Sequence, residues 1–134
     1  MSRQPPCGAA EARNRLKMAR AYLEVASLAA EELIEEARNV AAGNAVLAAI
    51  AASDAICCVR LGRRHRGQDH QGAVGVLRLV RPDGGKHAAD LAAVLTIKDS
   101  AHYGDHFIGD SKLKATLRAT ARLVEAAAVI VSDT

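Results

Sequence analysis

The sequence predicts an all-α fold, an antiparallel up-and-down helical bundle of four long helices plus one short one. Three observations lead there. The apolar half of the chain is mostly Ala, Leu and Val, with aromatics at 2% and no Trp, a composition that favours helices over the β-branched and aromatic mixture of sheets. Apolar residues recur at alternating three- and four-residue spacing, the period of one helix face. The clearest turn signal, Arg81-Pro82-Asp83-Gly84-Gly85, falls between two periodic segments. With 134 residues the chain is long enough for one core, and a single domain is expected over residues 11–134 behind a flexible tail at 1–10 that carries Pro5 and Pro6.

The first helix is expected from about Glu11 to Glu36, ending near Arg38, with its seam at Leu16, Ala19, Leu23, Ala26, Ala30, Leu33 and Ala37. Met18, Tyr22 and Val25 widen that face. Its charges oppose the helix dipole, because Arg13, Arg15, Lys17 and Arg20 lie early and Glu31, Glu32, Glu35 and Glu36 lie late. A break near Ala29 would let the acids begin a second helix, and a basic partner surface would also accommodate them; one continuous helix is the expectation. Asn39 is the expected N-cap of a second helix running to Leu61, with Gly62 as its stop. This segment is apolar nearly all round, as a buried helix is. After the polar connection Arg63–Gln71, a short helix runs from Asp69 or His70 to Val80. Arg81-Pro82-Asp83-Gly84-Gly85 is the clearest turn. A fourth helix is expected over Lys86–Tyr103 and a connection over Gly104–Asp110. The last helix, Lys112–Val131, carries the seam Leu113, Leu117, Thr120, Val124, Ala127 and Val131.

The formal charge of +3 is mildly basic and does not by itself point to nucleic acid. The first ten residues contain no apolar run of the secretory type, and Ala45–Ala52 is too short to span a bilayer, so a cytoplasmic protein with no membrane partner is expected. Cys57 and Cys58 are adjacent and Cys7 lies near the terminus; no disulfide framework or zinc spacing is visible, and reduced thiols are expected. There is no Walker loop, nucleophile elbow, pair of catalytic carboxylates or dinucleotide fingerprint, so no cofactor is expected.

Four groups of residues invite a chemical reading. Asp54 lies one turn from Ile50 and from Cys57 and Cys58, where a carboxylate is costly unless paired. It is either a cleft acid that binds a ligand or orients a His, or a structural acid tying the second helix to a neighbouring Arg, His or Tyr. Arg60, Arg63, Arg64 and Arg66, with Arg78 and Arg81 beyond, form a basic patch suited to phosphate and RNA, or else a solvated loop. Asp69 and His70 either cap the short helix or carry chemistry, with capping the expected role of Asp69. His102, Tyr103, Asp105 and His106 form a second polar cluster. His102 and His106 are one turn apart, a spacing metal ligands use, but no third ligand is evident and no metal is expected.

In order along the chain, RNRLKMARAYLEVASL (13–28), NVAAGNAVLAAIAASDAICC (39–58), LGRRHRGQDHQGAVGVL (61–77), LTIKDSAHYGDH (95–106) and ATLRATARLVEAA (115–127) resemble segments of HEPN domains. The resemblance implies an HEPN-like bundle that forms a homodimer and binds a nucleotide, RNA or a partner protein. In nuclease members an Arg and a His roughly four to six residues apart face a dimer cleft. The corresponding stretch here is Lys98 to His102, with Lys in place of the Arg, and Lys lacks the planar, bidentate phosphate grip. Arg60 with His65, and Arg64 with His70, also fit the spacing. The resemblance therefore implies a non-catalytic binding module. The alternative is a metal-independent endoribonuclease of toxin–antitoxin type, with His102 or His70 as base and Arg64 or Lys98 on the phosphate, paired with a nucleotidyltransferase-like partner. Asp54, Arg60, Arg63, Arg64 and Tyr103 are the expected ligand contacts. A purely structural bundle is the third reading.

Overall fold

A computed structural model describes residues 4–67, 69–103 and 106–134. They form six helices: α1 (Ala9–Ala30), α2 (Glu35–Leu61), α3 (His70–Arg78), α4 (Gly84–Leu95), α5 (Lys98–Tyr103) and α6 (Asp110–Ser132). No strand is present among the described residues.

The hub is α2, which packs against each of the other five helices. Its composition explains this. Ala41, Ala42, Ala45, Ala48, Ala49, Ala51, Ala52 and Ala55 are all fully buried, and side chains this small let neighbouring helices come close on several sides at once. Larger residues fill the spaces between: Val46 and Ile56 from α2, Leu77 from α3, Leu91 and Val94 from α4, and Leu123 from α6 are buried completely. The helix is long and apolar enough to cross a membrane, but 78% of the qualifying window is buried inside the protein, which is the signature of a core helix.

Four expectations are corrected. The first helix does not continue to Glu36; α1 ends at Ala30 and α2 begins at Glu35. The break places Glu35 and Glu36 in the first turn of α2, where the positive end of the dipole favours acids instead of opposing them. Leu33, assigned to the seam of a continuous helix, is 97% exposed in the intervening turn. Asn39 is therefore no N-cap. It sits inside α2, buried, with Nδ2 donating to the carbonyls of Ser100 (3.1 Å) and His106 (2.9 Å) and Oδ1 accepting from the Ile108 amide (2.9 Å). The fourth helix divides into α4 and α5 at Thr96–Ile97. There the Thr96 hydroxyl bonds back to the Ala93 carbonyl at 2.8 Å, a local bond that competes with helix continuation, and Ile97 turns into the core.

The fourth correction concerns the N-terminus and the thiols. Cys7 and Cys58 form a disulfide, leaving Cys57 as the free, buried cysteine. The 51-residue separation hid the pair, since only the tertiary fold brings the start of the chain to the end of α2. Nor is the tail loose over residues 4–7. The Cys7 amide donates to the Gly62 carbonyl (3.0 Å), the Arg64 amide to the Pro5 carbonyl (3.3 Å), and Arg63 Nε to Gln4 Oε1 (2.6 Å). Expectations for Met1–Arg3, for Gln68 in the polar connection, and for Gly104 and Asp105 lie outside the described residues.

Other boundaries agree with the local chemistry. Gly62 ends α2 in the left-handed region at φ 71°, where a side chain would be strained. Asp69 caps α3, its Oδ1 accepting from the Gln71 amide at 3.1 Å. The last helix buries Leu113, Thr120, Val124, Ala127 and Val131, with Leu117 partly buried beside them.

Candidate functional site

The loop after α2, the start of α3 and the first residue of α5 meet over the C-terminal half of α2 and close around a cleft of about 260 Å³. At its base lies Asp54, whose side chain is 11% exposed. Its Oδ2 accepts from Arg15 Nε (3.1 Å), Arg15 Nη2 (2.9 Å) and Arg64 Nη1 (2.8 Å). The acid thus ties α2 to α1 and to the loop while lining the cleft. Burial pushes its carboxyl above the usual carboxylate range, more than the two guanidinium charges and their hydrogen bonds pull it down.

Two arginines share one carboxylate, so this triad carries a surplus positive charge. Each guanidinium has five N–H donors, and neither spends all of them on Asp54. Arg66 and Lys98 add further cations and Asp69 one more acid. Across the cleft Lys98 Nζ lies 2.9 Å from His70 Nε2. Lys98 offers only donors, so this contact is a hydrogen bond in the tautomer whose Nε2 carries no proton.

His65 is the oddity of the site. Both ring nitrogens are buried, and neither has a hydrogen-bond partner among the described residues. Buried polar atoms of this kind are rare and costly. The ring is held against α3 at Gly72, where an added Cβ would lie 2.6 Å from His65 Cε1 and 3.2 Å from Asp69 Oδ2. Only glycine allows that approach. Ile50, Ala73, Leu91 and Leu95 supply an apolar wall, which lowers the local dielectric and strengthens the polar contacts. Next to Asp54, the Cys57 thiol is pushed up to about 12, mainly by burial and then by the Asp54 charge; it is a neutral packing group and not a nucleophile.

The structure gathers Asp54, Arg64, His70 and Lys98 into this one cleft, together with His65, Arg66 and Asp69, and leaves Arg60, Arg63, His102 and Tyr103 elsewhere. Arg63 is turned to Gln4. Arg60 lines a different groove of about 600 Å³ between α4 and α6, beside the bidentate Arg122–Asp90 pair. His102 is exposed and lies over Gly43 of α2, and Tyr103 is 75% exposed. Lys98 and His102 share α5 but do not share the cleft. Arg15 and Ser53, both in its lining, carried no sequence signal; Arg15 looked like one more exposed helix cation. Among the described residues no group of three His, Cys, Asp or Glu could hold a metal ion.

Neither the protein-family models nor the curated proteins compared with this chain contain a match to it.

Proposed function

We propose that this protein is a non-catalytic, HEPN-like antiparallel bundle that binds a small phosphorylated ligand, a nucleotide or an RNA phosphate, in the cleft over Asp54. The observation that carries the reading is the convergence of Arg15, Arg64 and Lys98 on one partly apolar pocket. An anion there would meet charge-assisted N–H donors from two or three directions. The volume of about 260 Å³ falls just below the roughly 300 Å³ at which pockets for drug-sized ligands begin. It suits a phosphate with its sugar, the base lying outside. The scarcity of aromatic residues argues against a stacking platform for single strands.

Calorimetric titration with AMP and with inorganic phosphate tests the proposal. Arg64→Ala and Lys98→Ala should each weaken binding at least tenfold, with Arg63→Ala as a neutral control. Equal affinity in all four proteins would end it.

A second reading, a metal-independent ribonuclease, is favoured by the Lys98–His70 contact and by Arg64 in the same cleft. Its base would be His70 in place of His102, because His102 stands apart from the cations. Cleavage of mixed RNA in EDTA, lost in His70→Ala and kept in His102→Ala, would replace the binding reading. A homodimer is also proposed, supported by the exposed apolar side chains Leu28, Leu33, Ile34, Val40 and Leu47 around the α1–α2 turn. Light scattering that returns the monomer mass would remove that part.

A further inference from the structure

Three residues that line the cleft, Arg64, His65 and Arg66, belong to a loop bounded by two positive-φ glycines, Gly62 at 71° and Gly67 at 142°. Backbone torsions at such positions are soft, so the loop needs bracing from outside. The brace is the segment Gln4–Cys7, laid alongside it: Pro6 pairs with Arg63 as an antiparallel bridge, and the two flanking backbone hydrogen bonds join Cys7 to Gly62 and Arg64 to Pro5. The Cys7–Cys58 disulfide is the covalent end of this brace. It fixes the strap to the last turns of α2, one turn beyond Asp54, which Arg64 must reach from the braced loop.

The two sulfurs differ in access. Cys58 is 2% exposed, whereas Cys7 is only partly buried and is followed by the exposed Gly8. The third thiol, Cys57, is buried beside Cys58 on the helix. A reductant therefore meets the bond from the Cys7 side.

We propose that the Cys7–Cys58 bond is a redox-modification site for a dithiol reductant, and that it latches the arginine–histidine loop in the conformation that completes the cleft. A thiolate of the dithiol attacks Cys7 Sγ; the sulfur–sulfur bond breaks, and Cys58 leaves as a thiolate that takes a proton. The second thiol of the reductant then attacks its own sulfur in the mixed disulfide, releasing Cys7 as a thiol and leaving the reductant oxidised. Two electrons and two protons pass to the protein. The strap is then held only by hydrogen bonds near a chain end, the glycine-bounded loop loosens, and the Arg64 contact to Asp54 opens. Such disulfides persist in oxidising surroundings and are reduced by cytoplasmic dithiols, so the cleft would report the thiol poise around it. The consequence for affinity rests on the anion-binding reading of the cleft; the loosening of the loop does not.

Hydrogen exchange read by mass spectrometry separates the two. Full-length protein is compared oxidised, reduced with dithiothreitol, and as Cys7→Ser, with Cys57→Ser as a control that keeps the disulfide. Reduction and Cys7→Ser should each speed exchange at least tenfold in peptides covering 62–67, leave α6 protected, and weaken phosphate binding at least tenfold; Cys57→Ser should retain the response to reductant. The latch is overturned if exchange at 62–67 is the same in all states, or if protection is lost across the whole chain, which would make the bond a general staple of the fold. If the loop responds but phosphate binds to no state, the latch stands and the anion-binding reading fails.

Discussion

Replacing Asp54 by Ala removes the acceptor that Arg15 and Arg64 share. Breaking a fully buried ion pair from one side costs about 3–5 kcal/mol, because the remaining charge is stranded. Here the stranded groups are two guanidiniums whose side chains are 28% and 21% exposed, so both can recover water through the cleft. The carboxylate they neutralise is itself penalised by burial. These two facts place the expected loss at about 1–3 kcal/mol, below the fully buried case. Asp54→Asn keeps the volume and one oxygen acceptor and should lose about 1 kcal/mol. Urea unfolding followed by far-ultraviolet circular dichroism measures both, with the slope against denaturant checked for constancy. The pH dependence adds a sign. The folded-state pKa of Asp54 is raised above 3.8, so in the window above that value the folded chain still holds a proton the unfolded chain has released. The Asp54 contribution is thus complete below pH 3.8 and declines as pH rises through the folded value. Relative to Asp54→Asn, the wild type should lose stability as pH climbs through this window. An Asp54→Ala protein as stable as the wild type would refute the cost of stranding the two guanidiniums, and an opposite slope with pH would refute burial outweighing the two arginines.

Three further outcomes are expected. Gly75→Ala, with open space around the added Cβ, should stabilise by about 0.5–1 kcal/mol as a helix-interior glycine does. Gly72→Ala should lack that gain and displace the His65 ring, seen as a shift of its imidazole resonances; equal gains at both sites would mean that the ring is not lodged against α3. Asn39→Ala leaves the Ser100 and His106 carbonyls and the Ile108 amide without their partner and should cost about 2–4 kcal/mol, with faster hydrogen exchange in α5; a loss no larger than that of an exposed alanine substitution would contradict the buried bonds. With its pKa raised from 9.0 to about 12, Cys57 should resist iodoacetamide in the native protein and react once unfolded. Its contribution to stability should be complete below pH 9.0 and fade as pH rises toward about 12, because the unfolded thiol ionises first. Rapid native alkylation of Cys57 at neutral pH would show that it is neither buried nor neutral.

The helical class was legible because composition and period are local properties. An alanine-rich α2, its glycine stop at Gly62, the Asp69 cap and the seam of α6 all follow from neighbours a few residues apart. The α1–α2 break was legible in principle, since the acids at Glu31–Glu36 oppose the dipole of one long helix but suit the start of a second; reading the helix as continuous undervalued that electrostatic signal. Thr96–Ile97 carried a weaker one, because a β-branched pair does not end a helix unless a hydroxyl bond and a core site favour it together.

The site divides along the same line. That Asp54 needed a partner followed from its apolar neighbours alone, as did the basic character of the loop 60–66. Which arginine answers Asp54 did not: Arg15 is 39 residues away and Arg64 only 10, and spacing along the chain says nothing about either. The same holds for Lys98 and His70, 28 residues apart, and for Cys7 and Cys58, 51 apart. Local sequence determined that this protein is a helical bundle with a buried acid and a basic loop. The packing of α1, α3 and α5 onto α2 decided which of its charged, imidazole and thiol groups meet, because those pairings depend on distances in space that no period along the chain encodes.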